Sequence, residues 1–300
     1  MSRAQPRGTL PLARLSYTPP FDWDFFLLFH QARALPGVEQ VDGQCYRRTV
    51  RCGDYVGRLC VTPSTDAALE LTLTPHDDTA LAALMPRVRR AFDLDTDPAP
   101  IAAHLGRDAM LQALLTRRPG LRVAGSVDGF EQAVRAILGQ QISVRAARDL
   151  GGRLVARWGT PLAAADDEAL RWVFPTPAML ACADVASLGM PRRRGAAVAA
   201  LAARVTDDAS VLERGETLEA SIAQLLALPG LGPWTAHYIA MRVLREPDAF
   251  PASDIGLLRA LTDAHGLRPS ATELLARAEA WRPWRAYAAQ HLWAKDAVAP

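Results

Sequence analysis

Apolar and polar positions alternate in the first part of the chain and follow a helical period through most of the rest. Leu69, Leu71 and Leu73 alternate with Glu70, Thr72 and Thr74, the pattern of a half-buried strand. The segments Cys45–Cys52 and Tyr55–Thr62 are also short and rich in β-branched and aromatic residues. Gly53-Asp54 and Pro63-Ser64 punctuate them, so three antiparallel strands are predicted. Before them, Asp22 is placed to cap a helix whose Phe25, Leu28, Phe29 and Ala32 fall at i, i+3, i+4 and i+7, giving one apolar face. After them comes a helix over about 79–91 carrying Arg87, Arg89 and Arg90. The acidic, proline-punctuated stretch from Asp93 to Pro100 reads as a linker. Beyond it, alanine- and leucine-rich segments separated by Gly, Pro and Asp predict helices almost throughout. The organisation expected is a flexible arm over residues 1–14, a small α/β domain over 15–98 and a larger all-α domain over 99–300.

Composition narrows the class without naming a function. The 300 residues are 50% hydrophobic and 22% charged, too lightly charged for a disordered chain. No apolar run approaches the ~20 residues of a membrane span, and the N-terminus lacks the pattern of a secretory signal. A globular, two-domain protein of the cytoplasm is expected. Cys45, Cys52, Cys60 and Cys182 form no C-x-x-C pair, which argues against zinc and iron–sulfur sites and for reduced thiols. The net charge of +2 is compatible with a nucleic-acid partner but does not argue for one. Lys295 is the only lysine; every other basic residue is arginine.

The most informative segment is Leu225-Leu-Ala-Leu-Pro-Gly-Leu-Gly-Pro-Trp-Thr-Ala-His-Tyr238. An apolar helix end meets Gly230-Leu231-Gly232, and Pro233 suits the first turn of a new helix. Two glycines two apart permit a tight turn and leave backbone N–H groups bare at a helix N-terminus. Such a turn can take a phosphate oxygen without a formal charge, or it can be a plain corner between helices. About twenty residues on, Asp254 precedes Ile255, Leu257, Leu258 and Leu261, an apolar helical face. A capping aspartate there contributes ~1 kcal/mol. The same position stabilises an ionised carboxylate, which is what a developing sugar oxocarbenium requires. Both readings can hold together.

The hairpin followed by Phe250-Pro-Ala-Ser-Asp254 resembles the helix–hairpin–helix DNA glycosylase superfamily, and within it the alkylbase group, the 3-methyladenine DNA glycosylase II (AlkA-like) enzymes. Three further motifs extend the likeness over nearly the whole chain: Tyr17-Thr-Pro-Pro-Phe-Asp-Trp23, Val127 to Ser143, and Trp281 to Trp293. The resemblance implies an α+β protein, with a TATA-binding-protein-like antiparallel N-terminal domain followed by an all-α helix–hairpin–helix glycosylase domain. It implies a monomer that flips an alkylated base out of double-stranded DNA and hydrolyses its glycosidic bond.

Matching positions then nominate Asp254 as catalyst and Trp234, Tyr238 and Trp293 as pocket aromatics, with Phe29 added from the first domain. Gly230, Leu231, Gly232, Thr235, Gln140 and Gln141 are nominated for DNA. Aromatic faces attract a delocalised cation by ~0.5–2 kcal/mol, which suits N-alkylated purines, although each ring alone is ordinarily core packing. Gln141 stands where the group often has a leucine wedge; Gln140-Gln141 can also be read as a polar helix end. Members that nick the backbone use a hairpin lysine, and Trp234 stands there, so a glycosylase without lyase activity is expected. No metal site or organic cofactor is implied, only an incidental monovalent cation at the hairpin carbonyls. His237, His291 and the cluster Arg192-Arg-Arg194 read as structural or solvated. The rival readings are a non-catalytic damage-binding module with the same hairpin, and a same-fold glycosylase for another damaged base.

Overall fold

The computed structural model describes residues 13–162 and 167–297. Its first part is an antiparallel sheet of β1 (Ala13–Ser16), β2 (Glu39–Asp42), β3 (Cys45–Cys52), β4 (Tyr55–Pro63) and β5 (Ala68–Thr74), in the order β1-β5-β4-β3-β2. The helices α1 (Trp23–Arg33) and α2 (Asp78–Phe92) pack on it. Leu59, Val61, Leu69, Leu71 and Leu73 share one core with Trp23, Phe26, Leu84 and Val88. The three predicted strands are present, with Val61 opposite Tyr46 and Leu71.

Two edge strands escaped the pattern. β1 and β2 have four residues each, too few to show alternation, and both are polar, as exposed edges commonly are. β1 also takes Ala13 and Arg14 out of the expected arm; residues 1–12 lie outside the described residues. The Cys45 and Cys60 sulfurs are joined across β3 and β4, against the expectation of four reduced thiols.

α1 begins as its sequence predicts, with the Asp22 carboxylate accepting from Phe25 N–H at 3.0 Å. Its buried face differs: Leu28 is 51% exposed, and Trp23, Phe25, Phe26 and Leu27 are buried. The helix lies between two neighbours. Trp23 and Phe26 pack into the sheet core, and Phe25 meets Leu121 and Ala294 of the helical part. A one-stripe pattern cannot describe a helix buried on two sides.

The acidic stretch after α2 is a fastened strap. Asp93 is buried, pairs with Arg245 at 2.7 Å and accepts from the Tyr287 hydroxyl at 2.9 Å. The helical part then runs through α3 (Pro98–Leu105), α4 (Ala109–Arg117), α5 (Gly129–Leu138), α6 (Val144–Trp158), α7 (Pro177–Ala181), α8 (Arg192–Asp207), α9 (Leu218–Leu226), α10 (Pro233–Ile239), α11 (Ile255–Ala260), α12 (Ala271–Ala278) and α13 (Arg285–Ala297). Its core includes Leu154, Val198, Ile239, Phe250 and Trp281. No helix among the described residues is long and apolar enough to cross a membrane.

A buried polar cluster ties the two parts together. Glu39 accepts from Arg135 at 2.7 Å and from the Tyr46 hydroxyl at 2.5 Å, and Arg48 pairs with Glu131. Arg135 also reaches Glu131 at 3.0 Å. Burial raises Glu39, but Arg135 and Arg48 outweigh it and bring its pKa down to about 2. Two carboxylates face two guanidiniums, the balance a buried ionic group requires.

Candidate active site

The hairpin is built as its sequence predicts. α9 ends, Gly230 takes a positive φ of 83°, and α10 starts at Pro233 with Gly232 as its extended N-cap. A Cβ on Gly230 would lie 2.5 Å from Ala197 Cβ on α8, whereas one on Gly232 would meet open space. Gly230 therefore serves the turn, and Gly232 keeps the outer surface bare. Leu231 is buried and anchors the turn from beneath. Thr235 is buried as well, and its hydroxyl accepts from Gln140 Nε2 at 3.0 Å.

Gln140 is a tie between loops. Its amide also donates to the Gly230 carbonyl at 3.1 Å, and its own carbonyl accepts from Arg194 at 2.5 Å. Arg194, read as part of a solvated cluster, is therefore buried and structural. The α5–α6 loop and the hairpin are thus locked side by side. Beside Gln140, Gln141 stands exposed with a φ of 58°. The Leu228 carbonyl accepts from Leu231 N–H and the Gly230 carbonyl from Gln140.

Asp254 caps α11, as its position predicts. Oδ1 accepts from Gly256 N–H at 2.9 Å and Leu257 N–H at 3.2 Å. Two indoles complete its surroundings: Trp293 Nε1 donates to Oδ1 and Trp234 Nε1 to Oδ2, both at 2.8 Å. The residue is at once a helix cap and a carboxylate oriented by four N–H donors. Gly256 was not singled out by sequence; a Cβ there would lie 3.1 Å from Asp254 Oδ1 and 3.1 Å from Trp293 Cδ1.

Asp254 lies on the wall of a cavity of about 400 Å³ that Phe29, Trp234, Tyr238 and Trp293 also line. The structure brings these nominated aromatics together, and the volume falls in the roughly 300–1,000 Å³ range of small-molecule sites. Trp234 stacks on Tyr238 with centroids 5.2 Å apart, and Trp293 meets Tyr238 edge-on at 6.1 Å. Ile142, Val144 and Ile255 line the same cavity and are among the exposed large hydrophobic residues.

The aromatic faces are not free. The Arg242 guanidinium sits over Phe29, Trp293 and Tyr238 at 4.8, 5.1 and 5.4 Å, and Arg33 lies 4.0 Å over Phe29. Sequence reading missed both arginines. Burial lowers Arg242 to about 10, assisted by the neighbouring cation Arg33. Burial would raise the Tyr238 hydroxyl, but Arg242, Arg33 and Arg135 hold it below the ordinary tyrosine value. Away from the cavity, His237 accepts from Phe250 N–H at 3.2 Å and burial lowers it to about 4. Burial does the same to His291.

Comparison with known proteins agrees with this architecture. The model of the AlkA N-terminal domain matches residues 12–128, and that of the HhH-GPD superfamily of base excision DNA repair proteins matches residues 134–286. The chain is 42% identical over 286 residues to a probable bifunctional transcriptional activator/DNA repair enzyme AlkA of Mycobacterium tuberculosis, covering 95% of this chain and 57% of that protein. It thus spans little more than half the length of that relative. It is 35% identical to DNA-3-methyladenine glycosylase 2 of Escherichia coli, covering 95% of this chain and 98% of that one. A 3-methyladenine DNA-glycosylase from Archaeoglobus fulgidus shares the fold, with a TM-score of 0.83 at 22% identity over 96% of this chain and 99% of that one. The two matched domains and the identity along the chain show that it belongs to the AlkA-like branch of the HhH-GPD superfamily of base excision DNA repair proteins.

Proposed function

We propose that the protein is a monofunctional DNA glycosylase that flips alkylated bases of the 3-methyladenine and 7-methylguanine type out of duplex DNA and hydrolyses their glycosidic bond, acting as a cytoplasmic monomer. The observation that carries this reading is Asp254, whose carboxylate is held by Trp234 and Trp293 on the wall of a base-sized aromatic cavity. The relatives' names supply the substrate class.

In this reading the backbone N–H groups around Gly232 take a DNA phosphate, and Gln140 keeps the α5–α6 loop in register with them. Gln141 and the apolar Ile142 beside it enter the gap left by the flipped base, which unstacking requires. The base then lies among Trp234, Tyr238 and Trp293. An N-alkylated base carries a positive charge that the glycosidic electron pair neutralises on departure, so little acid catalysis is needed. Asp254 faces the developing oxocarbenium and orients the water that attacks C1′.

The test is release of free base from methylated duplex DNA by the native protein and by Asp254→Asn. Release of 3-methyladenine and 7-methylguanine by the native protein, with a loss of about 10²–10³-fold in the variant, is the expected result. Equal release by both reduces Asp254 to a helix cap. No release by either, with DNA still bound, favours the non-catalytic damage-binding reading.

A further inference from the structure

Beyond Asp254 the cavity wall ends in an ion pair that the reading above does not use. Arg259 of α11 and Asp296 of α13 both line the cavity. Arg259 donates from Nε to Asp296 Oδ1 at 2.7 Å and from Nη2 to Oδ2 at 2.5 Å. This two-point pairing fixes the plane of the guanidinium. The guanidinium has no other hydrogen-bond partner among the described residues, and the side chain is 50% exposed. Its free edge therefore faces solvent at the rim of the cavity.

The pair is close to Asp254. A Cβ on Gly256 would lie 3.1 Å from Asp254 Oδ1 and 3.3 Å from Asp296 Oδ2, so the two carboxylates flank one backbone position. Asp296 raises the Arg259 pKa through its hydrogen bonds and its charge, and Asp254 adds to the effect. A half-exposed ion pair contributes little to stability. Held in one plane beside Asp254, however, the free guanidinium edge can donate two parallel hydrogen bonds to the oxygens of an anion. In duplex DNA the anions nearest a reacting C1′ are the two phosphodiesters on its own sugar.

We propose that Arg259, positioned by Asp296, binds one of the two phosphates flanking the flipped nucleotide and so sets its sugar against Asp254. The proposal rests on the glycosylase reading above. The hairpin takes its phosphate through uncharged N–H groups at the start of α10; Arg259 supplies a second anchor, from α11 and with a formal charge. Phosphate contacts carry no sequence information but fix register and orientation, and a small misplacement of reacting atoms is costly in rate. Asp296 touches no substrate in this arrangement. It acts through Arg259, by holding the guanidinium in the plane that the phosphate meets.

The experiment measures binding of native protein, Arg259→Gln and Asp296→Asn to duplexes carrying a tetrahydrofuran abasic analogue. The linkage on either side of the analogue is a phosphate or an uncharged methylphosphonate. Single-turnover release of 7-methylguanine and thermal melting are measured on the same proteins. Native affinity should fall by about tenfold with methylphosphonate at one of the two linkages. Arg259→Gln should bind the all-phosphate duplex about tenfold more weakly and lose no more than about twofold further at that linkage. Asp296→Asn should show intermediate sensitivity, because the charge remains without its fixed plane. Independent, additive losses from the variant and the methylphosphonate overturn the proposal, as does native affinity indifferent to both linkages. Full native sensitivity in Asp296→Asn overturns the positioning role of Asp296. Release of 7-methylguanine by the native protein in any of these cases leaves the glycosylase reading intact; no release removes both. Should Arg259→Gln melt below the native protein, Arg259→Lys decides the matter: it keeps the charge and should keep most of the sensitivity, and an insensitive lysine variant overturns the proposal.

Discussion

Trp293 donates its indole N–H to Asp254 Oδ1 at 2.8 Å, so a ring of the cavity wall also fixes the direction of the carboxylate. Trp234 does the same for Oδ2 from the hairpin helix. Pocket shape and carboxylate orientation are therefore coupled. Trp293→Phe keeps an aromatic wall and removes one hydrogen bond to a charged acceptor, worth about 1.5–3 kcal/mol. Single-turnover release of 7-methylguanine should slow by about tenfold to a hundredfold, with little change in melting temperature. An unchanged rate shows that the backbone N–H groups of Gly256 and Leu257 orient Asp254 without the indole.

Asp254, Trp234, Tyr238 and Gly230 were legible because each belongs to a short contiguous motif whose local geometry follows from its residues. Arg242, Arg33 and the Glu39 cluster were not. Arg242 lies in the apolar run Ile239-Ala-Met-Arg-Val-Leu244, where an isolated arginine gives no sign of what it faces. Glu39 meets Arg135 across 96 residues, and Arg48 meets Glu131 across 83, pairings that no local period encodes. The first-domain strands were read where alternation was long enough, and missed at four-residue edges. The hydrogen bond of Thr235 to Gln140, across 95 residues, is likewise beyond any local pattern.

Gln141 separates backbone from side chain. Its φ of 58° is a conformation glycine adopts without penalty, and its side chain is exposed. Gln141→Gly should therefore leave stability unchanged or slightly improved. If the amide fills the gap in flipped DNA, excision should slow by about tenfold, or about 1.4 kcal/mol, with undamaged duplex bound as before. Melting curves and single-turnover rates on one duplex check both halves. An unaltered rate transfers the wedge to Ile142.

The Glu39 cluster makes a prediction about acid stability. Its folded-state pKa, at about 2, lies below the ordinary 4.5. The stabilisation is thus present above about pH 4.5 and is lost as pH falls towards 2. Glu131, raised by burial, acts in the opposite direction, so the informative quantity is the difference between native protein and Glu39→Gln. The variant should be less stable at pH 7 by about 3–5 kcal/mol, because Arg135 and Arg48 lose a buried counter-charge. That gap should narrow as pH is lowered from 5 to 3. Urea titrations across this range measure it, and a constant gap removes Glu39 as the source.

Lys295 provides the test of whether the protein acts without a lyase step. It is the chain's only lysine, and its Nζ donates to the Ala260 carbonyl at 2.5 Å, at the opposite end of α11 from the Asp254 cap. A Schiff base with the abasic sugar needs an uncharged amine within reach of C1′. The hairpin position suited to that task holds Trp234, whose indole is engaged with Asp254. Incubation with alkylated duplex under borohydride should therefore yield free base and an intact abasic strand, without a covalent protein–DNA adduct. Lys295→Ala should release base at the native rate. An adduct in the native protein that disappears in Lys295→Ala would show that α13 carries a nucleophile to the sugar, and one that persists would point to the N-terminal amine.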